Sequence, residues 1–192
     1  KIERFKNVNS IELNLDRINV LVGSNNSGKS TILHAIQFAV SVAQSSKAQN
    51  ARWVSGRCPT SLSSQTLIYS PLRDIDALAP NGNLQTDIEQ AIKVTFNDNN
   101  DNSTFITIRK GKNKNISTSI EGEPLGLLLQ NIENPYTMIV PGLAGIPAFE
   151  EYKPPSIVRK AAAKGDANSV FRNILLLLRQ DEPAWNKFVS KL

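Results

Sequence analysis

The sequence predicts an α/β fold: one lobe with a mixed sheet, an antiparallel β-meander and flanking helices. Three observations point there. A continuous apolar run at residues 18–22 enters a glycine-containing loop, after which Ile32, Ile36, Ala39 and Ala43 recur at helical spacing. Three later stretches alternate apolar and polar residues, with turn-forming clusters between them. From about residue 156, Val170, Ile174, Leu177 and Leu178 mark a helical stripe.

In chain order, residues 2–5 and 10–15 read as short strands flanking the turn residues Asn7 and Asn9. Residues 18–22 have the continuous apolar character of a strand buried on both faces. The helix is expected over residues 29–42, which completes a core of residues 1–43. Residues 44–64 turn polar, with Ser45, Ser46, Gly56 and Pro59, and read as a surface loop or insertion. The meander spans residues 65–120. It holds a strand at 65–69, then alternation at Ile92, Val94 and Phe96, at Thr104, Ile106 and Ile108, and over 116–120. The clusters at 97–102 and 110–115 supply its turns. Residues 121–192 hold a strand at 136–140 and the helical remainder. No repeat of fixed period is present.

The chain has 192 residues, 40% hydrophobic and 20% charged, values ordinary for a soluble globular protein. No run approaches 18 apolar residues, so no membrane span is expected. The start of the sequence shows no secretion signal, which leads us to expect a cytoplasmic protein. The single cysteine, Cys58, excludes an intramolecular disulfide and suits a reducing cytosol. One histidine and one cysteine cannot make a His/Cys zinc site. The net charge of +5 favours an anionic partner such as a nucleic acid, although Lys110, Lys112 and Lys114 also read as a solvated hairpin tip.

Chemistry concentrates at Gly23-Ser24-Asn25-Asn26-Ser27-Gly28-Lys29-Ser30, which matches G-x-x-x-x-G-K-[ST], the Walker A pattern. Glycine at positions 23 and 28 permits backbone angles and close approaches that a Cβ would block. The loop amides can then turn inward around phosphate oxygens, and the helix start adds its free N–H groups and positive dipole end. Lys29 is the candidate catalytic charge for the β- and γ-phosphates of ATP. Ser30 is the candidate ligand to Mg²⁺, a hard cation that prefers oxygen. Thr31 is a candidate for the α-phosphate. Four fixed positions arise by chance in roughly 1% of chains this long. The strand–loop–helix context lowers that figure further.

Beyond the loop, the sequence resembles the ATPase heads of the RecF, SMC and OLD (overcoming lysogenization defect) families, a branch of ABC-type P-loop ATPases. The resemblance lies in Ile2-Glu3-Arg4-Phe5-Lys6-Asn7, in residues 11–15, and in residues 18–30. Asn25-Asn26-Ser27 is closer to the OLD-like and RecF-like AAA-type ATPases than to SMC heads, which usually carry glycine at the position of Asn26. Residues 140–147, Glu150-Glu151-Tyr152 and Arg172-Asn173-Ile174-Leu175 also look like the first lobe of such heads. Most of the chain is covered, but only the first 43 residues are motif-specific. The resemblance implies a P-loop NTPase fold and a head that dimerises around ATP, or a larger homo-oligomer. It also implies work on DNA in repair, or in antiphage defence beside a nuclease or other effector. At the position of Lys6 and Asn7, related heads contact the base and the adenine-side phosphates.

Hydrolysis in such heads needs a Walker B strand, four apolar residues followed directly by Asp-Glu. The run Leu175-Leu176-Leu177-Leu178 precedes Asp181-Glu182, but Arg179 and Gln180 intervene and the pattern upstream is helical, with Pro183 ending the helix. We therefore expect a buried helix with an acidic end, and a head incomplete without a second lobe after Leu192. Gln130 is the nearest candidate for the Q-loop glutamine, although it follows Leu127-Leu128-Leu129 and reads as a helix end. His34, Trp53 and Trp185 read as packing residues, and Cys58 as an unreactive thiol.

Overall fold

The computed structural model describes residues 1–72, 74–139 and 150–191. They form two compact units, Lys1–Thr137 and Met138–Leu192.

In the first unit, β1 (Ile2–Phe5) and β2 (Val8–Ile11) make a hairpin whose turn is Lys6-Asn7. Lys6 takes φ 52°, a left-handed conformation that suits the tight turn, and its amide donates to the Leu78 carbonyl at 2.7 Å. The second strand therefore starts earlier than residues 10–15 suggested. It stops at Ile11 because Ile11 pairs with Ile2, where β1 runs out.

α1 (Lys29–Ala48) follows the glycine loop, and then β3 (Arg57–Leu62), β4 (Ile92–Asn97), β5 (Ser103–Lys110) and β6 (Ile116–Glu121). The sheet order is β2-β1-β4-β5-β6-β3, with every neighbouring pair antiparallel. The expected mixed sheet is thus an antiparallel one among the described residues. Its parallel member was to be residues 18–22, and these form no strand. Their side chains lie in solvent instead, Ile18 at 82%, Val20 at 78%, Leu21 at 36% and Val22 at 89% exposure. An apolar strand of this kind needs cover on both faces, and no described segment provides it.

The meander forms as its alternation requires. Ile92 and Val94 of β4, Thr104, Ile106 and Ile108 of β5, and Ile116, Thr118 and Ile120 of β6 all point inward. Between β4 and β5 the Asp98 carboxylate accepts from the amides of Asn100 and Asn102 and from the Asn102 side chain, which holds the turn. Inward residues meet Ile32, Ala35, Phe38, Ala39, Val42 and Ala43 of α1, with the Phe5 and Phe38 rings 6.2 Å apart. Pro59, which argued against a strand within residues 44–64, sits in β3 at the edge of the sheet, where its missing N–H is tolerated.

α1 runs six residues past the expected end at Val42, because its polar residues are buried and bonded rather than solvated. Ser41 Oγ donates to the Tyr69 carbonyl at 2.8 Å and accepts from the Tyr69 amide at 2.7 Å. Ser45 Oγ accepts from the Ile68 amide at 2.8 Å. Gln44 donates to the Asn131 carbonyl, and Gln37 accepts from Thr137 Oγ1. The bonds from Ser41 and Ser45 satisfy the Ile68 amide and both backbone groups of Tyr69, within residues 65–69, which we expected to be a strand and which are irregular instead. Residues 136–139 likewise carry no strand; Val140 and the motif-like stretch to Pro147 lie outside the described residues. α2 (Glu123–Leu129) packs Gly126 against the Trp53 ring, where a Cβ would approach to 2.6 Å. Gln130 ends α2 as expected. It is buried, accepting from Trp53 Nε1 at 3.1 Å and donating to Cys58 Sγ at 3.6 Å, so all three side chains are structural.

The second unit holds α3 (Pro155–Ala163), α4 (Phe171–Gln180) and α5 (Glu182–Val189). Residues 175–178 are helical, within α4, and Trp185 packs on Phe188 at 5.6 Å. Pro183 opens α5 rather than only closing the helix before it, behind Asp181, whose carboxylate accepts from the Ala184 amide. The start of α4 is held from a distance by Glu150. Its carboxylate accepts from the amides of Arg172 and Asn173 at 2.8 Å each, and from Asn173 Nδ2 at 2.6 Å. The Asn173 side chain also donates to the Glu151 carbonyl and accepts from the Lys153 amide. Burial pushes the Glu150 carboxyl up, but the hydrogen bonds from Asn173 and Arg172 outweigh it and leave the group below its ordinary range.

Asn173→Ala should lower stability by about 2 kcal/mol, seen as a reduced midpoint in thermal unfolding. Since the folded pKa of Glu150 lies below the unfolded one, its contribution is complete above the unfolded carboxyl pKa. It disappears as pH falls through the folded value. Glu150→Gln should therefore flatten the acid limb of a midpoint-against-pH curve; an unchanged limb would refute this role.

Candidate phosphate-binding loop

The packing of α1 on the sheet sets where its first turn lies, and that turn is bare. Gly28 caps it at φ 90°, ψ 2°, with no side chain bonded to the helix start and no acidic residue in the first turn. The leading amides consequently have no intrahelical acceptor, and nothing neutralises the positive end of the dipole.

Ahead of the helix, Ser27 N–H closes a turn onto the Ser24 carbonyl at 3.3 Å. Asn26 within that turn takes φ 66°. The position requires a left-handed residue, and asparagine is among the few apart from glycine that tolerate it. The two motif glycines divide their tasks. Gly28 needs its angle, since a Cβ there would meet nothing within 4 Å. Gly23 needs closeness, because a Cβ there would stand 2.7 Å from Ser27 Oγ. Gly23, Ser24, Asn25, Asn26, Ser27 and Ser30 are exposed; Gly28, Lys29 and Thr31 are half-buried.

Lys29 reaches back across the loop. Its ammonium donates to the carbonyls of Gly23 at 2.7 Å and Ser24 at 2.6 Å, and to Ser27 Oγ at 3.2 Å. An ammonium has three donors, so two are committed to short backbone bonds and the third to a longer hydroxyl contact. The charge is thereby fixed at the mouth of the loop, beside the unbonded amides. Backbone donors plus one fixed cation suit an anion of several oxygens. For Mg²⁺, the exposed Ser30 hydroxyl provides one oxygen, and no group of three or more His, Cys, Asp or Glu gathers among the described residues. This donor set fits a metal delivered with its phosphates and kept largely hydrated, and not a resident ion.

His34, one turn further along α1, stacks on Tyr69 with ring centroids 6.4 Å apart, and its Nδ1 pairs with the Tyr69 hydroxyl. Burial lowers the His34 pKa and the Lys6 charge lowers it further. Burial pushes Tyr69 up to about 12. His34 is therefore a packing residue. Sequence reasoning missed Tyr69 as the partner of His34, which Ser41 fastens through both backbone groups of Tyr69. Lys6, whose own pKa burial lowers, lines a shallow hollow with Asn7, Leu72, Ala77, Pro80 and Asn81. A larger groove of about 660 Å³, lined by Ile11, Leu13, Leu15, Ile36, Phe96 and Tyr136, contains no residue of the loop. The chemistry follows the amides and the ammonium rather than the concavity.

Asn26→Gly should keep the chemical unfolding midpoint or raise it slightly, whereas Asn26→Val should cost about 1–2 kcal/mol. Equal midpoints for the two variants would contradict the left-handed turn.

A family model described as the AAA ATPase domain matches residues 1–171. No curated protein and no solved structure matches the chain. With the match extending over both the loop and the antiparallel sheet, the chain belongs to the AAA ATPase domain family.

Proposed function

We propose that this chain binds the triphosphate of ATP at residues 23–31 and is part of an ATP-hydrolysing head of the OLD/RecF type. The observation that carries the reading is the Lys29 ammonium, held by the Gly23 and Ser24 carbonyls at the uncapped start of α1. In this reading the amides from Ser24 to Ser30 surround the β-phosphate, and Lys29 balances charge on the β- and γ-phosphates. Ser30 gives its oxygen to Mg²⁺, and Thr31 serves the α-phosphate. Mg²⁺, when bound, would neutralise charge that builds on the leaving phosphates. Lys29 holds the γ-phosphate in line and needs no proton transfer to do so.

The same reading makes residues 1–192 the N-terminal part of one head that a second lobe completes. The bare apolar segment 18–22 supports this, since it leads straight into the loop and needs strand partners to become buried. The head would work as a dimer or larger homo-oligomer in the cytoplasm, in antiphage defence or DNA repair, with DNA or a nuclease as partner. A second reading is an ATP-dependent scaffold that binds nucleotide without turnover and assembles a partner effector. Both readings are compatible with the helical state of residues 175–178, since the head reading places its catalytic carboxylates in the second lobe.

Lys29→Ala in the full-length protein should weaken ATP binding about a hundredfold or more in calorimetry, because the variant cannot form the charge-assisted bonds to the β- and γ-phosphates. Ser30→Ala should raise the Mg²⁺ concentration needed for half-maximal binding. Unchanged affinity in the lysine variant would defeat the phosphate reading. Steady-state phosphate release separates the two readings, turnover favouring the head and its absence the scaffold.

A further inference from the structure

The Ser27 hydroxyl has a position that the motif pattern leaves open. It is the third acceptor of the Lys29 ammonium, at 3.2 Å, against 2.7 and 2.6 Å for the two carbonyls. It also occupies the space above Gly23 where a Cβ would stand, 2.7 Å from Ser27 Oγ. The contact thus exists because residue 23 has no side chain. Ser27 is exposed, so its hydroxyl is free to leave without opening the core.

We propose that Ser27 is a positioning residue that stands in for a phosphate oxygen on Lys29. This rests on the phosphate reading of the loop. The two short carbonyl bonds fix where the ammonium sits, and the longer hydroxyl bond completes its third donor while no phosphate is present. Phosphate entry is then an exchange: the ammonium releases Ser27 Oγ and takes an oxygen of the β- or γ-phosphate, with the carbonyl bonds kept. With the carbonyl bonds already fixing Lys29, the hydroxyl competes with the ligand for one donor. It is a regulator of affinity and makes no contact with the reacting atoms.

A thermodynamic cycle tests this on the full-length protein, with wild type, Ser27→Ala, Lys29→Ala and the double variant. The probe is β,γ-imido-ATP with Mg²⁺, titrated by calorimetry so that turnover does not intervene. Ser27→Ala should bind about three- to tenfold more tightly than wild type, the scale of one ordinary hydrogen bond, as suits a long contact at an exposed hydroxyl. In the Lys29→Ala background the same change should have no effect, since the hydroxyl then has no ammonium to occupy. Ser27→Thr, which keeps the hydroxyl, should return affinity toward wild type. Weaker or unchanged binding in Ser27→Ala, while Lys29→Ala still weakens binding about a hundredfold, would overturn the proposal and leave the phosphate reading intact. Full binding by Lys29→Ala would remove both. Circular dichroism of each variant separates these outcomes from loss of fold.

Discussion

The burial of one face of α1 against the antiparallel sheet is the constraint from which the rest of the first unit follows. Ile32, Ala35, Phe38, Ala39, Val42 and Ala43 commit that face to Ile92, Val94, Ile106, Ile108 and Ile120. Burying five or more such side chains is worth several kcal/mol and fixes both the rotation and the slide of the helix. Its N-terminus has no comparable fixture, since it carries no cap and no acidic residue. An uncapped helix end normally forfeits about 1 kcal/mol. The sheet supplies enough to tolerate that loss, and the leading amides stay available.

The other side of α1 does a different job. Gln37, Ser41, Gln44 and Ser45 are buried and bond to irregular chain at Tyr69, Ile68, Asn131 and Thr137. Loops that would otherwise need sheet partners are satisfied by a helix. The bonds to Ile68 and Tyr69 are made to backbone, and the buried Leu67 and Ile68 side chains hold the same segment by packing. The helix that begins at the loop is thus held from both sides, by apolar packing and by polar stitching.

This division explains which parts of the structure were legible in the sequence. The meander was readable because period-two alternation and strong turn clusters agreed, and each inward position found the same core. The helix was readable at its start and misread at its end. Ser45 and Ser46 look like a solvated boundary, and only their burial and the tertiary bond between Ser45 and Ile68 reveal them as interior. β3 was hidden by Pro59, whose objection to a strand lapses at a sheet edge. Residues 18–22 were misread for the opposite reason: the run states what the strand needs, cover on both faces, and composition cannot say whether the described residues supply it. In the loop, the pattern marked every candidate residue. The separate reasons for Gly23, Asn26 and Gly28 became visible only as a contact distance and two angles.

The electrostatics of the loop add a final step. A concave run of amides is unfavourable alone, because parallel N–H dipoles repel one another and lack acceptors. Lys29 does not relieve that directly, being itself a cation near the positive end of a helix. It is tolerated because its bonds go to the carbonyl oxygens of Gly23 and Ser24, whose negative ends face the ammonium. The ammonium and the uncapped helix start together make the site positive, with no carboxylate in the first turn to oppose them. A neutral or cationic ligand would gain nothing there. An anion with several oxygens relieves the repulsion among the amides and the repulsion between them and Lys29 at once. That double relief is the physical reason to expect a polyphosphate in preference to a single carboxylate.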